Sequence, residues 1–425
     1  MIRTHIIPCD LPRPVCNFFN MESGHIYTQV CIYHWRTYRK KGVWLSQYKA
    51  MKVNDFFRQG LRYLHAHTVD AAQEGFYKAC KITRKARKAG IKNIKFPYRR
   101  KQFRTTIWKN TAIKNKDGIL SLSNGNGNRQ ITIKLPESLK NVLRILEVRL
   151  VYEKKAKKYF WHIVIENGKQ PKIPKGNNIV SVDLGEVHPA VVGDEHEAVI
   201  ITCRELRHEK QGHNKRLAKL NKAISRTRKG SRKRVRLVRT RTRLRAKHKR
   251  IVRDMEHKIS KSIVEIGKER KADTIVIGNV RDVSNGVAIS KRTNQKISQW
   301  SHGKIQQYVG YKAEAEGIKV VSDIDERYTT QTCPNCGKRH KPKGRIYCCP
   351  ACKFQSHRDV VGQVNILSVY KYGEPGKIPA PSIIKHRIPH NLRVMRRRRD
   401  TGQGTLSQRA PLVACRCLQE AASLQ

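Results

Sequence analysis

Cys333-Pro-Asn-Cys336 and Cys349-Pro-Ala-Cys352 are two Cys-x2-Cys knuckles separated by twelve residues. Four thiolates on two such turns suit one tetrahedral zinc ion, and a ligand set with no open position is structural. The same thiolates could hold an iron–sulfur cluster. Cys348 adjoins the second knuckle and could compete, but only Cys349 keeps the two-residue spacing to Cys352. Two acids hold positions of another kind. Asp183 stands near the end of the apolar run NIVSVDLG at 178–185, and Asp359 opens the apolar-periodic stretch within SHRDVVGQVNILSVYK. Open α/β sheets place ligands in the crevice beyond their strand ends, and carboxylates there suit a hard divalent cation. The plainer roles are a turn cap for Asp183 and an N-terminal helix acid for Asp359.

The elements that must position these residues are legible as periodicity. Strand signals fall at 178–185, 198–205, 274–280 and 318–325, and they alternate with helical segments. Near-continuous apolar strands between helices predict an α/β sheet. Residues 204–253 carry 22 Lys and Arg against two acids, with Leu and Ile spaced through them and Gly230-Ser231 interrupting. That pattern predicts two antiparallel helices with a tight turn, continuing to about 270. A polar loop is expected at 281–296 and a helix at 297–317.

Upstream, 48–90 is more helical, QITIKL at 130–135 alternates as a strand, and 147–166 reads as a β-hairpin around a lysine-rich turn. The basic stretch 83–116 interleaves Phe96, Tyr98, Phe103 and Trp108. This suits a phosphate backbone with stackable bases, or core aromatics beneath a basic surface. The polar, proline-bearing segment 168–178 marks a domain boundary. Beyond about 372 the chain is basic and Pro-rich, with Arg396–Arg399 in a row, and is expected to order only on nucleic acid.

The 425 residues include 90 Lys and Arg against 32 Asp and Glu, a net charge of +58. Charge of that size calls for a large polyanion as partner. A ribosomal or chromatin-packing protein would share the charge but has no use for acids at strand ends. No run of about 18 apolar residues could span a membrane, and MIRTHIIPCDLPRP lacks the apolar stretch of a secretory signal. Of twelve cysteines, five crowd into 333–352, while Cys9, Cys16, Cys31, Cys80, Cys203, Cys415 and Cys417 are scattered. That distribution points to metal binding in a reducing compartment, not to a disulfide scaffold.

The succession VDLG, YTTQTCPNCG, YCCPAC and HRDVVGQVNIL resembles the TnpB family, the RNA-guided nucleases of insertion sequences also called OrfB transposases. Compact type V CRISPR effectors and Fanzor proteins are its relatives. The resemblance is strong over 178–370 and weaker over the first 170 residues. It implies an α/β RuvC-like (RNase H-like) nuclease domain with an inserted zinc ribbon. It also implies an N-terminal β-barrel-like wedge carrying a helical recognition lobe. The corresponding boundaries are 1–172 for wedge and lobe, 173–332 for the RuvC-like domain with its basic helical pair at 204–270, 333–352 for the ribbon, 353–371 for the final helix, and 372–425 for the tail.

The family's Asp-Glu-Asp set on two Mg²⁺ maps onto Asp183 and Asp359, but Gly278 stands where its Glu belongs, and Asn279 brings no charge either. Either cutting is lost, or the Glu has moved. Glu326, closing the next strand, is the first candidate, followed by Glu314, Glu316, Asp323 and Asp325. The implied activity is two-metal hydrolysis of DNA matched to a guide RNA and flanked by a short recognised motif. The alternative is an inactive RNA-guided DNA-binding protein acting in transposition or repression. A conventional DNA transposase and a structural RNA-binding protein fit less well. Charge density nominates Arg99, Arg100, Arg104, Lys109, Arg234, Arg241 and Arg245 as nucleic-acid contacts. His302 is a candidate for a phosphate, and Tyr328 to Thr332 for the groove lining. The expected setting is the cytoplasm of a prokaryotic cell, at the nucleoid when DNA is bound.

Overall fold

A computed structural model of the chain describes residues 2–53, 63–91, 93–125, 127–140, 142–153, 157–166, 168, 170–174, 176–280, 290–342 and 344–390. The chain divides into two compact units, Met1–Gln170 and Pro171–Gln425. Among the described residues no helix is long and apolar enough to cross a membrane.

The first unit contains β1 (Ile2–Pro8), α1 (Arg13–Lys41), α2 (Gln47–Val53), α3 (Ala66–Lys88), β2 (Thr106–Lys109), β3 (Ile113–Lys116), β4 (Ile119–Leu122), β5 (Ile131–Lys134), β6 (Arg144–Glu153) and β7 (Lys158–Glu166). The hairpin read at 147–166 is β6–β7, extended at its first strand. The strands do not close into a barrel. They form a four-stranded antiparallel sheet, β1-β7-β6-β2, and a three-stranded one, β3-β4-β5. The single turn Asn110–Ala112 breaks the ladder between β2 and β3, so the two sheets share one core instead, around Trp108, Leu120, Leu122, Leu150 and Trp161.

The helical content is larger than the sequence suggested, because α1 was not legible. Its inner face carries polar residues: Asn20, Ser23 and His34 are buried. Asn20 donates to the Leu150 carbonyl and accepts from the Thr106 N–H and hydroxyl, at 2.8–3.3 Å. Gly24 lies so close to the 101–102 backbone that a Cβ would fall 2.6 Å from the Gln102 carbonyl oxygen. A helix anchored by amides and close backbone approach shows no apolar stripe.

The second unit contains β8 (Asn178–Asp183), β9 (Ala190–Gly193), β10 (Glu197–Ile201), α4 (Arg204–Ser225), α5 (Arg232–Glu269), β11 (Ala272–Gly278), α6 (Lys291–Ser298), α7 (His302–Ala315), β12 (Lys319–Ile324), β13 (Ile346–Cys348), β14 (Gln355–His357), α8 (Arg358–Tyr372) and β15 (Ile383–Arg387). Its main sheet has the order β12-β11-β8-β9-β10-β15. The β8, β11 and β12 strands are mutually parallel, and β9 runs against both neighbours. Residues 291–298, expected within a polar loop, form α6, capped by the Ser290 hydroxyl; 281–289 lie outside the described residues. Part of the tail expected from 372 is a strand, β15, which pairs in parallel with β10. Arg396–Arg399, Cys415 and Cys417 lie outside the described residues.

Strand alternation decides what faces what. Val180 and Val182 of β8 join Val199 and Ile201 of β10 in the core under α5 and α7, with Ile259, Ile263, Ile305 and Val309. The intervening Ala198 and Ile200 pack with Val360 of α8. Ser181 belongs to this second face: its hydroxyl donates to the Gln363 carbonyl and accepts from the Gln363 amide, at 2.8 and 2.7 Å. By the same period, Asp183 looks toward α8.

Asn365, fully buried in α8, donates to the carbonyls of Thr329 and Thr332 and accepts from the Gly376 N–H, at 2.7–2.8 Å. It clamps the chain on both sides of the helix. Replacing it, Asn365→Ala, leaves three backbone groups without partners, each worth roughly 1–3 kcal/mol. The second unit is expected to lose at least about 3 kcal/mol of stability, measurable by denaturant unfolding.

Candidate active site

A crevice of about 560 Å³ is lined by Asp183, Gly185, Glu186, Trp300, Glu326, Thr329, Thr330, Arg345, Arg358 and Asp359, among others. Its wall is made where α8 meets the end of β8. Gly362 permits the approach: a Cβ there would lie 2.6 Å from Asp183 Oδ2. One turn earlier, Asp359 occupies the first turn of α8, capped by His357, whose Nδ1 accepts from the Asp359 N–H at 3.2 Å.

The third acid arrives from β12. That strand pairs with β11, setting Gly278 beside Ile324, and the Asn279 N–H donates to the Ile324 carbonyl at 2.9 Å. Just past the strand the chain turns sharply. Tyr328 has a φ of +64°, and Thr332 and Gln331 both donate back to its carbonyl. This turn folds Glu326 over Gly278. A Cβ on residue 278 would fall inside the Glu326 carboxyl group, with Cδ at 2.5 Å and Cγ at 2.6 Å. The glutamate fills the space that a side chain on β11 would occupy.

Electrostatics register the crowding. Burial pushes the Asp183 carboxyl well above its usual range, and Glu326 and Asp359 add to the rise against the opposing pull of Arg358. Burial, then Asp325, push Glu326 up to about 7. Glu326 Oε1 is buried with no hydrogen-bond partner. Like Arg345 and Arg358, Asp183 and Asp359 line the same crevice. Hard oxygen donors of this kind fit Mg²⁺.

Of the other acids considered, Glu316 is paired with Lys172 and Lys268, Asp325 with Arg327, and Glu314 and Asp323 are exposed. Three charged crevice residues escaped the sequence reading. Glu186 pairs with Arg207 at 3.2 Å. Arg345, just before β13, reaches Asp359 at 3.1 Å. Arg358 is the middle residue of His-Arg-Asp, and its adjacency to Asp359 was the available signal. Thr329 and Thr330 line the crevice, whereas Tyr328 and Thr332 do not appear in its wall.

The four cysteines expected to hold zinc meet. One sulfur from each of Cys333, Cys336, Cys349 and Cys352 lies within 4.8 Å of the others. Two of the pairs are 3.6 Å apart, near the roughly 3.8 Å edge of a tetrahedron with 2.3 Å zinc–sulfur bonds. Hydrogen bonding from the Phe354 N–H lowers Cys352, while burial raises Cys333. Cys348 sits on β13, opposite Gln355, outside this group. Tyr347 and Val361 pack with the knuckles, so the ribbon is seated on α8.

The cationic candidates divide. Arg99, Arg100 and Arg245 are exposed. Arg104 instead donates to the Ala71 carbonyl and Ser23 hydroxyl, and Lys109 pairs with Glu74 at 2.5 Å. Arg234 caps the carbonyls of Ile224 and Thr227 in the α4–α5 turn, and Arg241 donates to Asn221. Trp108 is core and Phe96 half-buried, while Tyr98 and Phe103 are exposed. His302 packs edge-on against Trp300 at 5.0 Å, and its Nδ1 is buried and unpartnered.

Comparison with known proteins bears on this arrangement. Residues 162–284 match the family described as a probable transposase, OrfB of IS605. Residues 302–366 match the Cas12f1-like TNB domain. A TnpB-like protein of Methanocaldococcus jannaschii is 26% identical over 216 residues, covering 49% of this chain and 74% of that one. The CRISPR-associated endodeoxyribonuclease Cas12f1 of Sulfoacidibacillus thermotolerans is 23% identical over 228 residues, covering 51% and 52%. In fold, the chain is similar to Cas12f1 in a cryo-EM complex with guide RNA and target DNA, with a TM-score of 0.61, 15% identity, and coverage of 84% and 83%. Over about half of its length the chain is similar in sequence to TnpB-like proteins and to Cas12f1, and it shares the fold of Cas12f1.

The raised carboxyl groups carry a sign for stability. Glu326 has an ordinary value of 4.5 and about 7 in the fold, so the folded metal-free protein holds its proton more tightly than the unfolded chain. Stability therefore falls as pH rises between those values. Glu326→Gln is expected to raise metal-free stability by roughly 2–3 kcal/mol above about pH 7, with the gain gone below about pH 4.5. Thermal melts in chelator across that range measure it. For the ribbon, Cys336→Ser is expected to take bound zinc from one per chain to none and to lower the melting temperature, checked by metal analysis and calorimetry.

Proposed function

We propose that this chain is an RNA-guided DNA endonuclease whose catalytic acids are Asp183, Glu326 and Asp359 in a RuvC-like domain. The observation that carries this reading is the exchange at Gly278. The glycine leaves the volume into which Glu326 folds, so the negative charge missing from β11 is supplied by the neighbouring parallel strand. An open sheet with an acid ending its central parallel strand, flanked by helices on both faces, supports the RuvC-like assignment.

Asp183, Glu326 and Asp359 would hold a pair of magnesium ions, which supply an activated water and stabilise the leaving 3′-oxygen. Arg345 and Arg358 offer positive charge beside the acids, suited to the phosphates flanking the bond to be cut.

The basic helices support the polyanion half of the reading. From Arg232 to Arg253, α5 has no buried residue, so this arm of the α4–α5 hairpin gains little from a core. Arg236, Arg239, Arg243, Arg245, Lys249 and Arg250 are exposed along it. Self-repulsion on such an arm is relieved by phosphate. Cas12f1, of similar fold, has been seen with guide RNA and target DNA. We assign this chain the same partners: a guide RNA, whose base pairing supplies sequence recognition, and a DNA target whose adjacent motif is read by the first unit.

Gly278 also favours a second reading, a guided binder that no longer cuts. Purified protein with its co-purified RNA, a matched DNA and Mg²⁺ separates the two. Wild type is expected to cleave. Asp183→Ala and Glu326→Ala are expected to lose cleavage by at least about a thousandfold while keeping guided binding. The exchange variant Gly278→Glu/Glu326→Gly is expected to regain part of the activity. Tight guided binding by wild type without any cleavage would leave the binder.

A further inference from the structure

Beside the crevice lies a second group of potential ligands with different chemistry. One ring nitrogen each of His188 and His357 and one carboxylate oxygen of Asp359 lie within 4.8 Å of one another. They come from three places: the loop after β8, the end of β14, and the first turn of α8. The two rings meet edge-on, with centroids 5.3 Å apart. We propose that His188, His357 and Asp359 form a cation site selective for a borderline transition metal, of the zinc or cobalt kind, over magnesium.

The donor set makes the selection. Imidazole is a poor ligand for hard Mg²⁺ and a good one for Zn²⁺, Co²⁺ and Ni²⁺, and two imidazoles with one carboxylate leave positions open for water or substrate. His188 Nδ1 is buried without a hydrogen-bond partner, a lone pair or N–H that protein and solvent leave unused.

Two contacts occupy these donors now, and both are replaceable. Arg345, half exposed, sits 3.1 Å from Asp359 Oδ2. His357 Nδ1 accepts the 3.2 Å cap bond; in that neutral tautomer Nδ1 holds the ring's lone pair, so an ion takes the place of the cap. Ligands sharing an ion at 2.0–2.2 Å stand roughly 3–3.5 Å apart, which small side-chain rotations reach from the present positions.

The consequence follows from the shared residue. Asp359 cannot serve the imidazoles and the crevice acids equally, so a transition metal in this site withdraws it from the magnesium set and inhibits cutting. That consequence rests on the nuclease reading; the site itself does not.

The test is a cobalt titration of the full chain with zinc in its ribbon. Cobalt on nitrogen and oxygen shows ligand-field absorption without the thiolate charge-transfer bands that ribbon exchange would give. Wild type and Asp183→Asn are each expected to bind one cobalt of this kind. His188→Gln and His357→Asn, the latter retaining a capping side chain, are expected to weaken it by at least roughly the 10–100-fold seen when a ligand's supporting partner is removed. Retained ribbon zinc reports an intact fold in each variant. Unchanged cobalt binding in both histidine variants, loss of it in Asp183→Asn alone, or no cobalt signal in wild type overturns the site. Histidine-dependent cobalt binding in a protein that cuts no DNA would uphold the site and remove only its inhibitory consequence.

Discussion

The packing of α8 against the end of β8 is the contact on which the second unit turns. Gly362 lets the helix approach the Asp183 carboxyl, and the paired bonds between Ser181 and Gln363 hold its register. Everything nearby is referred to that helix. Asp359 is on its first turn, the ribbon packs on its Val361, and Asn365 ties down the turn beyond Glu326. Burial penalises the charge of Asp183 and of Glu326 there, and Glu326 and Asp359 add to the penalty on Asp183. Such an arrangement opposes metal-free folding and makes sense where a cation restores the balance.

The four-cysteine ribbon and the crevice are linked by this geometry. The ribbon's β13–β14 hairpin leads directly into α8, and it carries Arg345 at one end and His357 at the other. Both residues touch Asp359. A four-cysteine ribbon with no open coordination position does no chemistry itself, but it sets the position of two groups that do touch the crevice. The α4–α5 hairpin is different in kind: its outer half is held by turn-capping bonds and little else, consistent with an element whose partner lies outside the chain.

Much of this was readable from residue order. The strands β8, β10, β11 and β12, the paired helices, the two knuckles and the acids at 183 and 359 all follow from periodicity and spacing, because each depends on residues close in sequence. The first unit was less legible. α1 is bound through Asn20 and Gly24 and shows no apolar stripe, and a barrel was expected where two sheets share a core; in the second unit, β15 owes its place to pairing with a strand far away in sequence. Charge density was a poor guide to single residues, since it cannot tell exposed Arg245 from Arg104, which is spent on the Ala71 carbonyl.

By itself, the sequence determined the elements and the types of donor: thiolates in pairs, acids at strand ends, a large excess of positive charge. Its resemblance to the TnpB family marked Gly278 as the departure and put Glu326 ahead of Glu314, Glu316, Asp323 and Asp325. Only the tertiary structure sets the Glu326 carboxyl over Gly278, because that depends on which side chain a turn beyond β12 folds over a glycine on β11. The same holds for Glu186, Arg345 and the two imidazoles beside Asp359. Their nearness is a property of packed strands, loop and helix, and no local spacing encodes it.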